Sequence, residues 1–156
     1  MRIAAGLALL GVLSVLGCDR KPEHSIDAAL ACVEKKKGQG LEVTSAKLSC
    51  AKENERLFAA GDVYGLDGTL YRVGSTDYRL QIKNNSSKVV TELYLRIHPT
   101  VNGNADNSTV IAGHVGPIWL EPYASGQYNV RMVPAIDWGT QFSFSFFQVL
   151  GLDVPN

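Results

Sequence analysis

The stretch "DYRLQIKNNSSKVVTELYLRIH", residues 77–98, constrains the fold more than any other part of the chain. Tyr78, Leu80 and Ile82 alternate with Arg79, Gln81 and Lys83. A period of two sends successive side chains to opposite faces of a strand, so this pattern describes a half-buried strand and not an amphipathic helix. Residues 84–87, "NNSS", carry turn chemistry, because Asn tolerates positive φ and Ser caps turns. The alternation then resumes, with Val89, Thr91, Leu93, Leu95 and Ile97 expected on one face. Two such runs about a short polar turn predict a β-hairpin.

More strands are predicted at 69–73, 109–113, 117–121, 126–133 and 141–150. In the last of these, Phe142, Phe144 and Phe146 share one face and Ser143 and Ser145 the other. Pro99, Pro117, Pro122 and Pro134 stand at run ends, where a missing N–H does least harm. Short strands punctuated by turn signals predict a mainly β antiparallel sandwich over 61–156. Residues 25–60 read differently. Ser25 is a candidate N-cap, Asp27 suits a first turn, and Ile26, Ala29, Leu30 and Val33 line one helical face. A helix over 25–37 is expected to stop at "KGQG", with Gly38 and Gly40 free to turn left-handed. A second helix is expected over 45–60, capped by Ser45 and stopped by Gly61, with Leu48, Ala51 and Phe58 inward.

The N-terminus is an address. After Arg2, residues 3–16 are apolar and uncharged. That is short of the roughly 20 residues a spanning helix needs, but it suits the apolar region of a secretory signal. The stretch Val15-Leu16-Gly17-Cys18 resembles the bacterial lipobox, in which an acylated cysteine becomes the first mature residue. The resemblance covers the first 18 residues. It implies a signal peptide at 1–17, a lipid anchor with palmitate-type chains on Cys18, and a polar tether at 18–24. It also implies a place in the bacterial cell envelope, held to a membrane and facing the periplasm. Asp19, directly after the cysteine, points to the inner membrane by the rule of enteric-type bacteria. Each buried CH₂ contributes about 0.8 kcal/mol, so several chains anchor stably. The alternative is an ordinary signal peptide with a spare thiol.

An exported chain meets an oxidising compartment, and removing Cys18 leaves Cys32 and Cys50 to pair. Such a bridge would staple the two predicted helices and stabilise the fold by about 3 kcal/mol on a chain-entropy model. Zinc would need further ligands beside these two cysteines, and redox work favours Cys-x-x-Cys. The runs "LQIKNNSSKVVTELYLRI" and "LEPYASGQYNVRM" are together similar to immunoglobulin-like sandwich modules of bacterial envelope proteins. That likeness spans about residues 70 to 150. It implies a fold and carries no ligand residues with it.

Chemistry is sparse. Basic and acidic residues balance at 15 each, which gives no case for nucleic acid. The run Lys35-Lys36-Lys37 suits the negative end of a helix dipole. His24, His98 and His114 lack metal-ligand spacing and read as ordinary polar histidines, and no Gly-x-Ser-x-Gly elbow is present. Asn102, Asn104, Asp106 and Ser108 echo the start of a calcium loop, but Gly113 stands where the bidentate Glu belongs. They read instead as an exposed loop. With Trp138 in "AIDWGTQ", Asn102, Asn104 and Asp106 make a candidate ligand surface, whereas Trp119 between apolar neighbours is expected in the core. The expectation is a lipid-anchored, non-catalytic protein-binding or scaffold module with no metal or cofactor. Its partner would be another envelope protein, bound for example at a sheet edge. A cell-wall or carbohydrate ligand held by Trp138 is the alternative.

Overall fold

Ser25 starts the first helix as its sequence context predicts. Its Oγ accepts from the Ala28 amide at 3.2 Å, and helix α1 runs Ile26–Gly38 with Lys35, Lys36 and Lys37 in its last turn. Gly40 follows at φ 89°, a left-handed conformation in which a side chain would be strained. The structure, a computed structural model, describes residues 24–154 apart from 64, 75, 102–103, 107–109 and 134–141.

Helix α2 spans Val43–Asn54, not 45–60. Its N-cap is Glu42, whose carboxylate accepts from the Ser45 amide at 3.0 Å, so Ser45 lies inside the first turn. The early end has a tertiary cause. The Asn54 side chain donates to the Cys50 carbonyl at 2.8 Å, Glu55 turns extended, and strand β1 (Arg56–Leu57) pairs with the end of the chain. Phe58, expected on the helix, enters the sheet core instead, and a short helix α3 follows at Ala60–Val63. Cys32 and Cys50 form the disulfide, with Cα atoms 5.8 Å apart, and so staple α1 to α2. Beneath it Val33, Ala46 and Cys50 form a small buried cluster.

Seven further strands complete the sheet: β2 (Leu66–Arg72), β3 (Tyr78–Asn84), β4 (Val89–Val101), β5 (Asn104–Ala105), β6 (Ile111–Val115), β7 (Ser125–Val133) and β8 (Phe142–Leu152). The fold is therefore mainly β, and all strand pairs are antiparallel. The order is β1-β8-β4-β6-β7-β3-β2, with β5 beside β4. The segment expected as a strand at 117–121 forms no ladder and joins β4 through the isolated bridge of Leu120 with Val90 and a bond from Ile118 to Thr91.

The predicted hairpin between β3 and β4 does not form. β3 pairs with β2 and β7, whereas β4 pairs with β6 and β8. The reason lies in Asn84, which is fully buried. Its Nδ2 donates to the carbonyls of Lys88 at 2.7 Å and Glu121 at 3.0 Å, and its Oδ1 accepts from the Ser86 amide at 3.1 Å. A buried amide satisfied in this way pins the connection to the 120–121 segment and carries the chain across to the other half of the sheet.

Strand β7 makes the sheet curl. Residues 125–130 pair with β3, and residues 131–133 pair with β6. A strand that changes partner midway turns a corner, and the two halves then face each other. The Tyr78 and Phe142 rings meet edge to face at 5.5 Å, and Phe146 packs against Gly68. Between the halves lie Leu80 and Ile82 of β3, Leu93, Leu95 and Ile97 of β4, Ile111 and Val115 of β6, and Val149 of β8. β4 carries an irregularity between Val90 and Glu92, so the predicted single face divides. Val90 joins the main core, whereas Val89 turns to the helices with Ala29 and Leu152.

The chain ends are tied together. Ser25 pairs in parallel with Asp153; Ile26 donates to the Asp153 carbonyl and Asp153 to the His24 carbonyl, each at 2.8 Å. Asp153 is also held from the side by a bidentate Arg56 at 2.7 Å and by Lys88 at 2.6 Å. This strap and the packing of Ile26 with Ala29, Val89 and Leu152 fix the start of α1 on the sheet.

Candidate functional site

The segment 116–124 is built like a strand without a full ladder. The Gly116–Pro117 peptide is cis, the Ile118 amide donates to the Thr91 carbonyl at 2.9 Å, and Val90 and Leu120 exchange two bonds of 2.9 Å. Ile118 and Leu120 point into the core, and Trp119 and Glu121 point outward. A turn closes at Glu121–Ala124, with Pro122 preceding Tyr123. Tyr123 takes φ 60° at a position that normally asks for Gly or Asn, and it is 68% exposed. A positive φ on a bulky side chain and an aromatic ring in water are each unfavourable locally.

Trp119 is therefore not a core residue, as its neighbours predict, but a half-buried wall. Its indole N–H donates to Glu121 Oε1 at 2.6 Å. The Lys47 ammonium sits 5.2 Å from the ring centre and 3.7 Å from the same carboxylate oxygen. The ring also packs against the small cluster of Ala29, Val89 and Leu152. These contacts hold one side chain in one orientation, which is what a preformed site requires. Thr44, Lys47 and Leu48 of α2 form one wall of a groove, and Pro117, Ile118, Trp119 and Glu121 the other, with Tyr128 of β7 between them. The groove encloses about 500 Å³ and its lining is mainly apolar. A second concavity, of about 390 Å³ beside Cys32, is lined by Lys35, Lys36, Gln39, Glu53 and Asn54 and is polar. Buried or shielded apolar surface with a few fixed polar groups is the usual character of a binding site, and the first groove has it.

A charged cluster holds the helical wall in place. Lys52 of α2 lies 2.9 Å from Glu55 Oε1 and 2.9 Å from Glu92 Oε2. Glu55 Oε2 accepts from the Thr91 hydroxyl at 2.6 Å, and the other Glu92 oxygen meets His114 Nε2 at 2.8 Å. The Tyr94 ring lies against the His114 imidazole, centres 4.8 Å apart. Burial pushes the Glu92 carboxyl up, but the bonds from Lys52 and His114 outweigh it and leave the group below its ordinary value. The same bonds, from Glu55 first and then Glu92, raise the Lys52 ammonium. Burial raises the Tyr94 phenol, and the Glu92 charge adds to it. Each buried anion is answered by a cation or a hydroxyl, so the cluster is suited to holding two elements together.

Of the residues singled out from sequence, Cys18, Asn102 and Trp138 lie outside the described residues. Asn104 is exposed on β5, and Asp106 is half-buried with its amide donating to the Pro99 carbonyl at 2.7 Å. Neither lines the groove. His98 and His114 stay apart: β4 sets Tyr94 opposite His114, and His98 is four positions further along, about 13 Å at strand spacing. The His24 ring Nδ1 lies 3.0 Å from the Asn54 carbonyl. Cys32, Cys50 and Glu53 cluster closely, but both sulfurs are spent in the disulfide. Lys52, Glu55, Glu92 and His114 were not legible as a set, because Lys52 and Glu92 are 40 residues apart in the chain. Tyr123 left a local signal: an aromatic at the third position of a "EPYA" turn.

Among the described residues no helix is long and apolar enough to cross a membrane. Comparison with protein-family models, with curated proteins and with solved structures gave no match.

Proposed function

We propose that this chain is a lipid-anchored lipoprotein of the bacterial envelope whose folded part is a non-catalytic module that binds another envelope protein through the groove beside α2. We read the curled sheet as an immunoglobulin-like sandwich carrying a disulfide-stapled helical hairpin. The observation that carries the reading is the groove itself, apolar and walled by a tryptophan already fixed by Lys47 and Glu121. Aromatic anchors in preformed pockets dominate protein–protein recognition. The lipobox-like Cys18 supports the anchor, and the Cys32–Cys50 bridge accords with an oxidising compartment.

A sugar ligand is less well served by this groove. Stacking on a sugar needs a free aromatic face. Trp119 has Lys47 over its ring, packs against the helix–sheet cluster, and has given its N–H to Glu121. The test is site-specific photo-crosslinking in cells, with the probe placed at Thr44 or Leu48 on the groove and at Thr69 on β2 as a distant control. A discrete protein adduct from the groove positions, absent from the control, supports the proposal. Adducts that do not distinguish groove from control overturn it. Intact-mass measurement of the membrane-extracted chain checks the anchor: acyl chains on an N-terminal Cys18 are expected, and a free thiol there would refute it.

A further inference from the structure

Strand β2 ends one side of the sheet. Among the described residues nothing pairs with its outer edge. Its ladder with β3 runs along Leu66–Arg72 without a register shift, and the strand contains no Lys and no Pro. Edges are commonly protected by such residues, by bulges or by shortness, and β1, two residues long, ends the other side. The bonds that frame the ladder fix its polarity. The Asn85 amide donates to the Gly65 carbonyl at 2.7 Å, and the Val73 amide to the Asp77 carbonyl at 2.9 Å. Odd-numbered residues of β2 therefore bond to β3, and Leu66, Gly68 and Leu70 turn their N–H and C=O groups outward. The core is open along the same flank. Phe142, Phe144 and Phe146 of β8 pack on the core yet stay half-buried, whereas Leu80 and Ile82 of β3 and Leu95 and Ile97 of β4 are fully buried. Phe146 stands against Gly68, with a ring carbon 3.2 Å from where a Cβ would be.

We infer that two copies of this chain join edge to edge through β2, antiparallel about a two-fold axis at Gly68, into one continuous sheet. The occupant is a second copy because the edge is complementary to itself. The outward groups of Leu66, Gly68 and Leu70 are placed symmetrically about Gly68. Gly68 then bonds to Gly68 of the second copy, and Leu66 to Leu70, each pair exchanging both backbone bonds. On the inward side Leu66 of one copy lies beside Leu70 of the other, and these side chains come to the flank where Phe144 and Phe146 are half-buried. A slip of one residue would turn the leucines away from that flank, so the register is specified. On the outer side Asp67 falls opposite Thr69 of the second copy and keeps Lys83 opposite it on β3. No like charges stand directly opposite each other. A parallel copy in register would set Asp67 on Asp67 and Arg72 on Arg72. No β2 residue lines the groove beside α2, so the pairing does not rest on the groove reading.

The test traps the register. Full-length chains carrying Asp67→Cys or Thr69→Cys, with different tags, are made in the same cells and their membranes oxidised. In the proposed ladder residues 67 and 69 face each other as the pair that exchanges no backbone bonds, with Cα atoms about 4.5 Å apart, inside disulfide range. Two copies of the same variant place their cysteines diagonally, about 7–8 Å apart, outside it. Disulfide between the two tags is expected about tenfold above that of either variant alone, and the parent chain sets the background from Cys18. Light scattering of the detergent-extracted parent, with the detergent mass subtracted, is expected to give twice the chain mass. Leu66→Pro removes an outward N–H that β3 does not use, and it is expected to weaken the pair about tenfold or more while circular dichroism keeps its strand signal. If Leu66→Pro does not fold, the trapping and the parent mass decide alone. A parent of one chain mass overturns the inference, as does mixed trapping no greater than that of either variant. At Thr69, the control of the groove test, a photo-adduct of twice the chain mass is expected, and an adduct there with a different protein overturns the pairing. A different protein captured at Thr44 or Leu48 is still told from that self-adduct by its mass. A failed groove cross-link leaves the pairing standing, and a monomeric parent leaves the groove reading standing.

Discussion

Replacing Asp153 by Asn tests the strap that joins the two chain ends. Arg56 first, and Lys88 with it, hold the Asp153 carboxyl at about 2 against an ordinary 3.8, although burial opposes them. A group held lower when folded stabilises the fold at pH values above its unfolded value, and that contribution disappears as pH falls through the folded one. The gap corresponds to about 2 kcal/mol at 1.36 kcal/mol per pH unit. The side chains are about a third exposed for Arg56 and Asp153 and less for Lys88, so solvent screening reduces the net effect to about 1–2 kcal/mol. Urea unfolding at a series of pH values should therefore show Asp153→Asn less stable than the parent by that amount at pH 7. The difference should begin to shrink below about 3.8 and vanish near 2, where the parent's own carboxyl is neutral. A difference that stays constant across the series would refute the electrostatic account and assign the effect to packing.

Other outcomes follow from the same contacts. Leu95→Ala removes a fully buried side chain between the halves of the sheet and should destabilise the fold by about 3 kcal/mol, read from a chemical denaturation curve. Gly151→Ala would drive a Cβ into the Val89 carbonyl oxygen and the Phe58 ring, so β1 and β4 cannot both keep their pairing; loss of exchange protection at β1 is expected. Ser25→Ala should cost about 1 kcal/mol by leaving the Ala28 amide uncapped, with the effect seen in thermal unfolding. Tyr123→Gly should raise stability by about 0.5–1 kcal/mol by relieving the positive φ, read from thermal unfolding.

Period-two alternation named β3, β4 and β8 and most of their inward residues, because burial on one face leaves a mark on every second residue; on β4 the irregularity before Glu92 puts Val90, and not Val89, in the main core. It did not say which strands would be neighbours. The turn at 84–87 looked like a hairpin, and only the buried amide of Asn84, reaching residues 36 and 37 positions away, sends β4 to the other half. The helix start at Ser25 and the disulfide were legible from local chemistry. The end of α2 was not, since nothing in "ENERLFAA" announces that Arg56 and Leu57 pair with Gly151 and Leu150. The groove was missed for the same reason. Trp119 reads as core from its neighbours, and Lys47, which turns it into a wall, lies far away in the chain.

The sheet order has a consequence for when this chain can fold. β8 follows the other described strands in the sequence, yet it lies between β1 and β4 and forms ten residue pairs with β4. Phe58, Val89 and the start of α1 all wait for residues 149–153 before they have their partners. A chain without the 11-residue β8 has one half of its sheet without an edge to build on. Such long-range closure slows folding. Here it makes that half of the sheet wait for β8, whatever other parts form first.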